Sequence, residues 1–324
     1  MNNILQAINE RSSFVISGHT GPDGDCIGAC YGLAFALEML GKNVTVVLEP
    51  YPQKYNIIPG HKFFNTQPVD ELEVDVLIAL DCADVSRLGP GLSLFDRAKL
   101  TICIDHHKTN IGFAQLNYIR PNASSTCEIV FGFIEQLVQP NVEIATAIYA
   151  GMVCDTGGFK YNATAKSTME ITARLMEIGI PFTDIYDQVL HIHSFEAAKA
   201  KGIILANAKQ TLGGRVTYSY ITREELEDTG AEVSDLDGVV EYLRDTRGTD
   251  VAALIYEKQI PKQFKMSLRS RGPDVSAVAT AMGGGGHVLA AACTTYGEIE
   301  SIIAQALQLI EKEIIDYDRR SKCL

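Results

Sequence analysis

Apolar and polar positions follow two rhythms along the first part of the chain. Phe14 to Ser17 is a short apolar run that ends at Gly18, which predicts a buried strand. Asp25 to Leu40 carries its apolar residues at helical spacing and stops at Gly41, a residue type suited to the left-handed position after a helix. Asn43 to Leu48 is valine-rich and reads as the next strand, followed by strand-length apolar runs at Val74 to Leu80 and Leu100 to Ile104. Ser124 to Val138 predicts a helix capped by Ser124, Ser125 or Thr126, with Glu128 in its first turns. Val142 to Val153 and Ala165 to Ile178 predict two more. Strands alternating with helices imply an α/β class, with a mostly parallel sheet flanked by helices.

The rhythm changes after this. Asp184 to Ala208 reads as one long helix or a helix pair, suited to a linker. Strands are expected at Arg215 to Ile221, Val251 to Tyr256 and Gln263 to Ser270, and helices at Val233 to Leu243, Val275 to Ala281 and Glu298 to Ile315. Gly283 to Gly286 lies between a helix and a final strand or helix. The expected organisation is a first domain over residues 1–190, a helical linker over 191–208 and a smaller α/β domain over 209–324.

Composition narrows the class. The 324 residues allow two domains, and 46% hydrophobic with 21% charged residues is ordinary for globular protein. No apolar run reaches the roughly 18 residues of a membrane span. Met1 to Glu10 lacks a basic segment followed by an apolar core, and Cys323 is misplaced for prenylation, so a cytoplasmic protein without membrane attachment is expected. The eight cysteines form no CxxC pair, and Cys26, Cys82, Cys103 and Cys154 lie in or beside apolar segments, as reduced core thiols do. The net charge of −12 argues against a partner as polyanionic as long duplex nucleic acid. Small anions remain suitable ligands if metal ions or a few arginines supply positive charge locally.

The candidate chemistry sits at the ends of the predicted elements. His19, Asp23 and Asp25 follow the first strand, Asp81 follows Val74 to Leu80, and Asp105, His106 and His107 follow Leu100 to Ile104. Asp155 follows the helix Val142 to Val153. Parallel sheets bind ligands beyond the carboxyl ends of their strands, so these acids are aimed at one place. Gathered carboxylates repel one another, and divalent cations remove that cost. Oxygen donors with some imidazole and no obligatory thiolate favour Mn²⁺ or Mg²⁺, with Co²⁺ and Zn²⁺ behind them. Two such ions about 3.5–4 Å apart could activate a water and clamp a phosphate.

The triplet Asp105-His106-His107 resembles the signature of the DHH phosphoesterases. His19-x-x-x-Asp23-x-Asp25, Asp81 and Asp155 match that family's other metal motifs in order, and Gly283 to Gly286 followed by His287 resembles its associated C-terminal domain. The resemblance implies that His19 and Asp23 hold one metal, that Asp25 and His106 hold the other, and that Asp81 and Asp155 are shared. It makes Asp105 an orienting group and His107 a hydrogen-bond donor or proton source to the substrate phosphate. Ala292 departs from the pattern, standing where the family usually has glycine.

Consecutive glycines let backbone amides approach an anion, so Gly284, Gly285 and Gly286 with His287 are expected to contact substrate. Lys265, Ser267, Arg269 and Arg271 alternate with Met266 and Leu268 along one predicted strand. Arg269, in its Arg-Ser270 context, is the residue expected to grip a phosphate or base, since guanidinium pairs bidentately with phosphate. Arg120 and Asn122 are expected to line the crevice from the first domain. The chain has neither the membrane and sensory segments of some family members nor room for the extra domain of the long exonucleases. It resembles the short members that degrade oligoribonucleotides of a few residues and dephosphorylate 3′-phosphoadenosine 5′-phosphate (pAp). Alternatives are cleavage of linear dinucleotides, hydrolysis of pyrophosphate, and a nucleotide-binding protein without activity. The resemblance also allows a homodimer.

Overall fold

Short apolar runs become strands and longer ones helices in the computed structural model, which describes residues 1–65 and 67–321; Cys323 lies outside them. The chain divides into two units, Met1–Ile192 and His193–Leu324. The first contains α1 (Asn2–Glu10), β1 (Ser13–Ser17), α2 (Gly24–Met39), β2 (Asn43–Val47), β3 (Val76–Leu80) and the short α3 (Leu92–Phe95). It continues through β4 (Leu100–Asp105), β5 (Leu116–Ile119), α4 (Thr126–Leu137), α5 (Val142–Asp155), α6 (Lys166–Glu177) and α7 (Phe182–Leu190). The strands make one sheet in the order β2-β1-β3-β4-β5, and every pairing is parallel. Because β1 is flanked by β2 on one side and β3 on the other, the strand order reverses there. A crevice opens at such a switch point beyond the carboxyl ends.

Helix α2 is buried around its whole circumference from Gly24 to Leu37, as a central core helix must be. It shares one core with Ile16 and Ile78 of the sheet and with α4 and α5. Glycine makes the α2–α5 approach possible. A Cβ on Gly28 would lie 2.4 Å from the Ala147 carbonyl, and one on Gly151 would lie 2.3 Å from Cys127 Sγ and 3.1 Å from Asp25 Cα. This close packing sets Asp25, at the start of α2, beside the end of α5, where Asp155 stands. The opposite face of the sheet packs Val15, Leu77, Ala79 and Cys103 under Leu88 and Leu94. Neither α1 nor β5 is among the elements expected from the pattern. The first buries Ile4, Ala7 and Ile8 in the core, and the second is a half-exposed edge strand.

The second unit contains α8 (Phe195–Ala206), β6 (Lys209–Thr211), β7 (Val216–Ile221), α9 (Arg223–Thr229), α10 (Val239–Arg244) and β8 (Val251–Glu257). It ends with β9 (Gln263–Ser270), α11 (Val275–Ala281), β10 (Gly285–His287), β11 (Ala290–Tyr296) and α12 (Ile299–Ser321). Asp184 to Ala208 is thus a helix pair. The helix expected over Val233 to Leu243 is interrupted: Gly238 takes φ 80° between a 3-10 turn at Val233–Leu236 and α10. The mixed sheet runs β10-β11-β9-β8-β7-β6, with only β7–β8 parallel. Met266, Leu268, Ala291 and Cys293 pack on one face against α11 and α12. On the other face Ala252, Leu254 and Tyr256 lie under Ala200 and Ile204 of α8 and Val240 and Leu243 of α10. Lys265, Ser267 and Arg269 of β9 and Ala290, Ala292 and Thr294 of β11 remain half-buried or exposed. Among the described residues no helix is long and apolar enough to cross a membrane.

Candidate metal centre and substrate face

The ends of β1, β3 and β4 deliver His19, Asp81 and the Asp105-His106-His107 triplet. The α2–α5 pair delivers Asp25 and Asp155. Asp23 is the cap of α2, its Oδ1 accepting the N–H groups of Asp25 and Cys26, each at 3.1 Å. Asp81 takes φ 54° on leaving β3, a left-handed conformation that aspartate tolerates better than most side chains. Asp25 and Asp105 are wholly buried, and Asp81 is 3% exposed.

Two imidazoles present the same nitrogen to this cluster. His19 donates Nδ1–H to the Thr20 carbonyl at 2.9 Å, and His106 directs Nδ1 at the Ala123 carbonyl at 3.4 Å. Each is left with Nε2 facing carboxylates. His19 Nε2 stands 3.5 Å from Asp81 Oδ2 and 3.8 Å from Asp23 Oδ1. His106 Nε2 stands 3.6 Å from Asp81 Oδ1 and 3.5 Å from Asp155 Oδ2. Asp81 therefore offers one oxygen to each histidine. The donor atoms fall into overlapping groups able to hold a cation: His19 with Asp23 and Asp81, Asp25 with His106 and Asp155, and Asp81 with His106 and His107. Imidazole nitrogens held by their opposite N–H, interleaved with carboxylates, form a donor set that fits divalent ions.

The electrostatics show how much the cluster needs positive charge. Burial and the neighbouring Asp81, Asp155 and Asp23 push the Asp25 carboxyl well above the usual range, although both of its oxygens accept amide N–H groups, from Thr126 at 2.6 Å and Cys127 at 2.9 Å. Burial raises Asp155 to about 6, with Asp81 and Asp23 adding to the rise and His106 opposing it. Burial disfavours charge on His19, but Asp23 and Asp81 outweigh it and raise the imidazole to about 11. Gathered in this way, the carboxylates and imidazoles favour protonation, and a divalent cation would oppose that tendency.

His107 is oriented differently. Its Nδ1 donates to Asp105 Oδ1 at 2.7 Å, and this bond raises the imidazole above its ordinary value against the effect of burial. Asp105 also accepts from the His106 N–H at 2.8 Å and from Asn110 Nδ2 at 2.7 Å. It is therefore a held carboxylate that fixes His107, kept below the usual range by His107 and Asn110 despite burial. Asn110 is absent from the residues expected from the sequence. Its only signal is its place five residues after Asp105. Arg120 and Asn122 lie exposed in the loop leaving β5; the Arg120 N–H reaches the Asp105 carbonyl at 2.9 Å, and Arg120 Nη1 donates to Tyr118 Oη at 3.1 Å.

Residues 13–152 match the DHH family N-terminal domain and residues 213–316 the DHHA1 domain. The chain belongs to the DHH phosphoesterase family. It is 32% identical to the bifunctional oligoribonuclease and PAP phosphatase NrnA of Thermus thermophilus, over 96% of this chain and 92% of that protein. It is 25% identical to the protein of the same name in Bacillus subtilis, over 96% and 98%. The crystal structure of an exopolyphosphatase-related protein from Bacteroides fragilis superposes with a TM-score of 0.87 at 29% identity, covering 96% of this chain and 95% of that one.

In the DHHA1 unit, alternation along β9 turns Lys265, Ser267 and Arg269 to the open face. Arg269 pairs with Ala290 of β11, which pairs with His287 of β10, so the arginine and the histidine share that face across a small residue. Arg269 Nε donates to Glu241 at 2.7 Å and Nη1 to the Leu268 carbonyl at 3.0 Å. Ser270 points the other way: it is 5% exposed and accepts the Gly272 N–H at 3.0 Å, so the strand does not bring it to Arg269's side. Gly284 lies so close to β11 that a Cβ there would meet the Ala292 carbonyl at 2.2 Å, and Gly286 takes φ 145°. Gly285 is exposed and pairs with Ala292, which fits the ladder with its methyl on the open face.

Proposed function

We propose that this phosphoesterase hydrolyses short oligoribonucleotides to mononucleotides and pAp to AMP and phosphate, using two divalent cations, with Mn²⁺ favoured. The observation that carries the reading is Asp81, whose two oxygens each face a different histidine and so suit a carboxylate shared between two ions. Mn²⁺ suits a mixed carboxylate and imidazole set without thiolate. His19 and Asp23 would hold one ion, Asp25 and His106 the other, with Asp81 and Asp155 shared. When bound, such ions supply an acidified water and neutralise charge on the phosphoryl oxygens.

The chain's own residues supply the rest. Asp105 holds His107 by Nδ1, leaving Nε2 to donate to a phosphoryl oxygen or to protonate the leaving oxygen, and the same bond favours the protonated imidazole. Arg269 keeps one guanidinium edge on Glu241 and offers the remaining N–H groups to phosphate. The exposed His287 and the glycine strand provide further donors. Nucleotide substrates are supported by the oligoribonuclease and PAP phosphatase relatives, which align over nearly the whole chain.

The deciding experiment is Mn²⁺-dependent hydrolysis of a labelled RNA ladder from the dinucleotide to long oligomers, with pAp in parallel. Preferential loss of the shortest RNAs and phosphate release from pAp are expected. The exopolyphosphatase-related structure from Bacteroides fragilis favours inorganic phosphate chains as the second reading. Pyrophosphate and polyphosphate assays separate it, since turnover confined to them would overturn the nucleotide assignment.

A further inference from the structure

The first turn of α4 ties two of the cluster's acids together through one side chain. Thr126 is wholly buried. Its N–H donates to Asp25 Oδ2 at 2.6 Å, and its hydroxyl donates to Asp81 Oδ1 at 2.9 Å. Those acids stand at the start of α2 and the end of β3, far from Thr126 in sequence. The hydroxyl is closer to Asp81 than any of the three imidazoles facing that carboxylate, which stand at 3.5 to 3.6 Å.

The surroundings hold Thr126 in turn. The first amides of a helix lack partners within it, and here they are provided for in order. Thr126 and Cys127 serve Asp25, and the Glu128 N–H is capped by Ser125 Oγ at 3.0 Å. Glu128 then reaches back. Its Oε2 accepts the Ser124 N–H at 3.1 Å, the Ser124 hydroxyl at 2.6 Å and the Thr168 hydroxyl at 2.8 Å, while Oε1 accepts the Ser167 hydroxyl at 2.8 Å. The loop before Thr126 is thus pinned to the start of α6. The β-branched side chain restricts its own rotamer as well.

We infer that Thr126 is a positioning residue of the centre: its hydroxyl sets the rotation of the Asp81 carboxylate, so that one oxygen faces His19 and the other faces His106. This rests on the two-cation reading above. A carboxylate free to turn about its last bond would present both oxygens to one side part of the time, and the geometry for two ions would be lost. Partners one step behind metal ligands typically contribute about 10–100-fold in metal affinity or activity.

The test compares wild type with Thr126→Val, which keeps the shape and the backbone bond to Asp25 but removes the hydroxyl, and Thr126→Ser, which restores it. Mn²⁺ binding is followed by titration calorimetry without substrate, alongside melting temperature, kcat and KM. Wild type should take up two ions. Thr126→Val should bind one of them about 10–100-fold more weakly, with kcat reduced and KM for the RNA dinucleotide little changed, and Thr126→Ser should recover most of the affinity. If Thr126→Val does not fold, Thr126→Ala is compared with Thr126→Ser, and equal Mn²⁺ affinity in that pair overturns the inference. A folded Thr126→Val with wild-type stoichiometry and affinity also overturns it, leaving the two-cation reading intact. A wild-type chain that takes up fewer than two ions overturns that reading and the inference with it.

Discussion

Asp81 concentrates the argument at the scale of single residues. It turns one oxygen to His19 and the other to His106, belongs to two of the candidate donor groups and occupies a left-handed backbone position. Asp81→Ala should abolish turnover and weaken Mn²⁺ uptake with the fold retained; full activity in excess Mn²⁺ would count against its proposed role. Arg269→Ala should raise KM by roughly 10–100-fold with a smaller change in kcat, because a hydrogen bond to a charged phosphate is worth about 1.5–3 kcal/mol. An unchanged KM would remove Arg269 from substrate capture. Cys82 lies next to Asp81, but burial pushes its thiol up to about 12, and burial raises Cys154 as well. Such thiols carry little thiolate, so mild peroxide at neutral pH should leave activity intact. Acids and histidines at element ends were legible in the sequence because four segments each place them there; singly, an aspartate after a strand is usually a cap or turn residue. Thr126 and Asn110 were not legible as partners of the site. A threonine in a helix's first turn and an asparagine in a loop are common for local reasons, and only the fold shows that they reach Asp81 and Asp105.

At the scale of elements, the approach of α2 to α5 decides whether the acids converge. Gly151→Ala would place a methyl against Cys127 Sγ and the Asp25 backbone. Overpacking a core typically costs about 1–3 kcal/mol, so this variant should melt at a lower temperature and, because Asp25 shifts with it, bind Mn²⁺ less well. A variant with wild-type stability and metal binding would show that the helix pair can relax without moving the site. Apolar runs and glycine stops located α2, the central strands and α11 from sequence because each carries a strong period or a clear boundary. The edge strand β5 carries neither, being half-exposed and short. The break between Val233–Leu236 and α10 lay hidden in an otherwise helical pattern. Gly238 reads there as a tolerated residue, and only its positive φ shows that it ends one element and begins another.

At the scale of the molecule, the chain carries net charge −12, and its first unit buries several of its acids together. Alternation of strands and helices pointed to an α/β fold and a parallel first sheet, but not to the strand order that places β1 between β2 and β3, because pairing partners leave little trace in one sequence. That order gathers donor groups that could hold cations, and on the two-cation proposal their binding is linked to protons. His19 is raised to about 11 and Asp155 to about 6, while Asp25 lies well above the carboxylate range. At neutral pH, His19 is therefore cationic and Asp155 is mostly ionised, while Asp25 holds its proton to higher pH than an ordinary carboxylate. A cation needs the imidazole lone pair and the carboxylate oxygens, so it must displace those protons. The sign follows: binding releases protons, and Mn²⁺ affinity rises with pH from the acid side of Asp155's titration until His19 deprotonates by itself. Calorimetric titration of Mn²⁺ at neutral pH in two buffers of different ionisation enthalpy should give different observed heats, with affinity falling as the pH is lowered. Equal heats in both buffers would mean that the ion enters without expelling protons, and that the cluster is not the place where it binds.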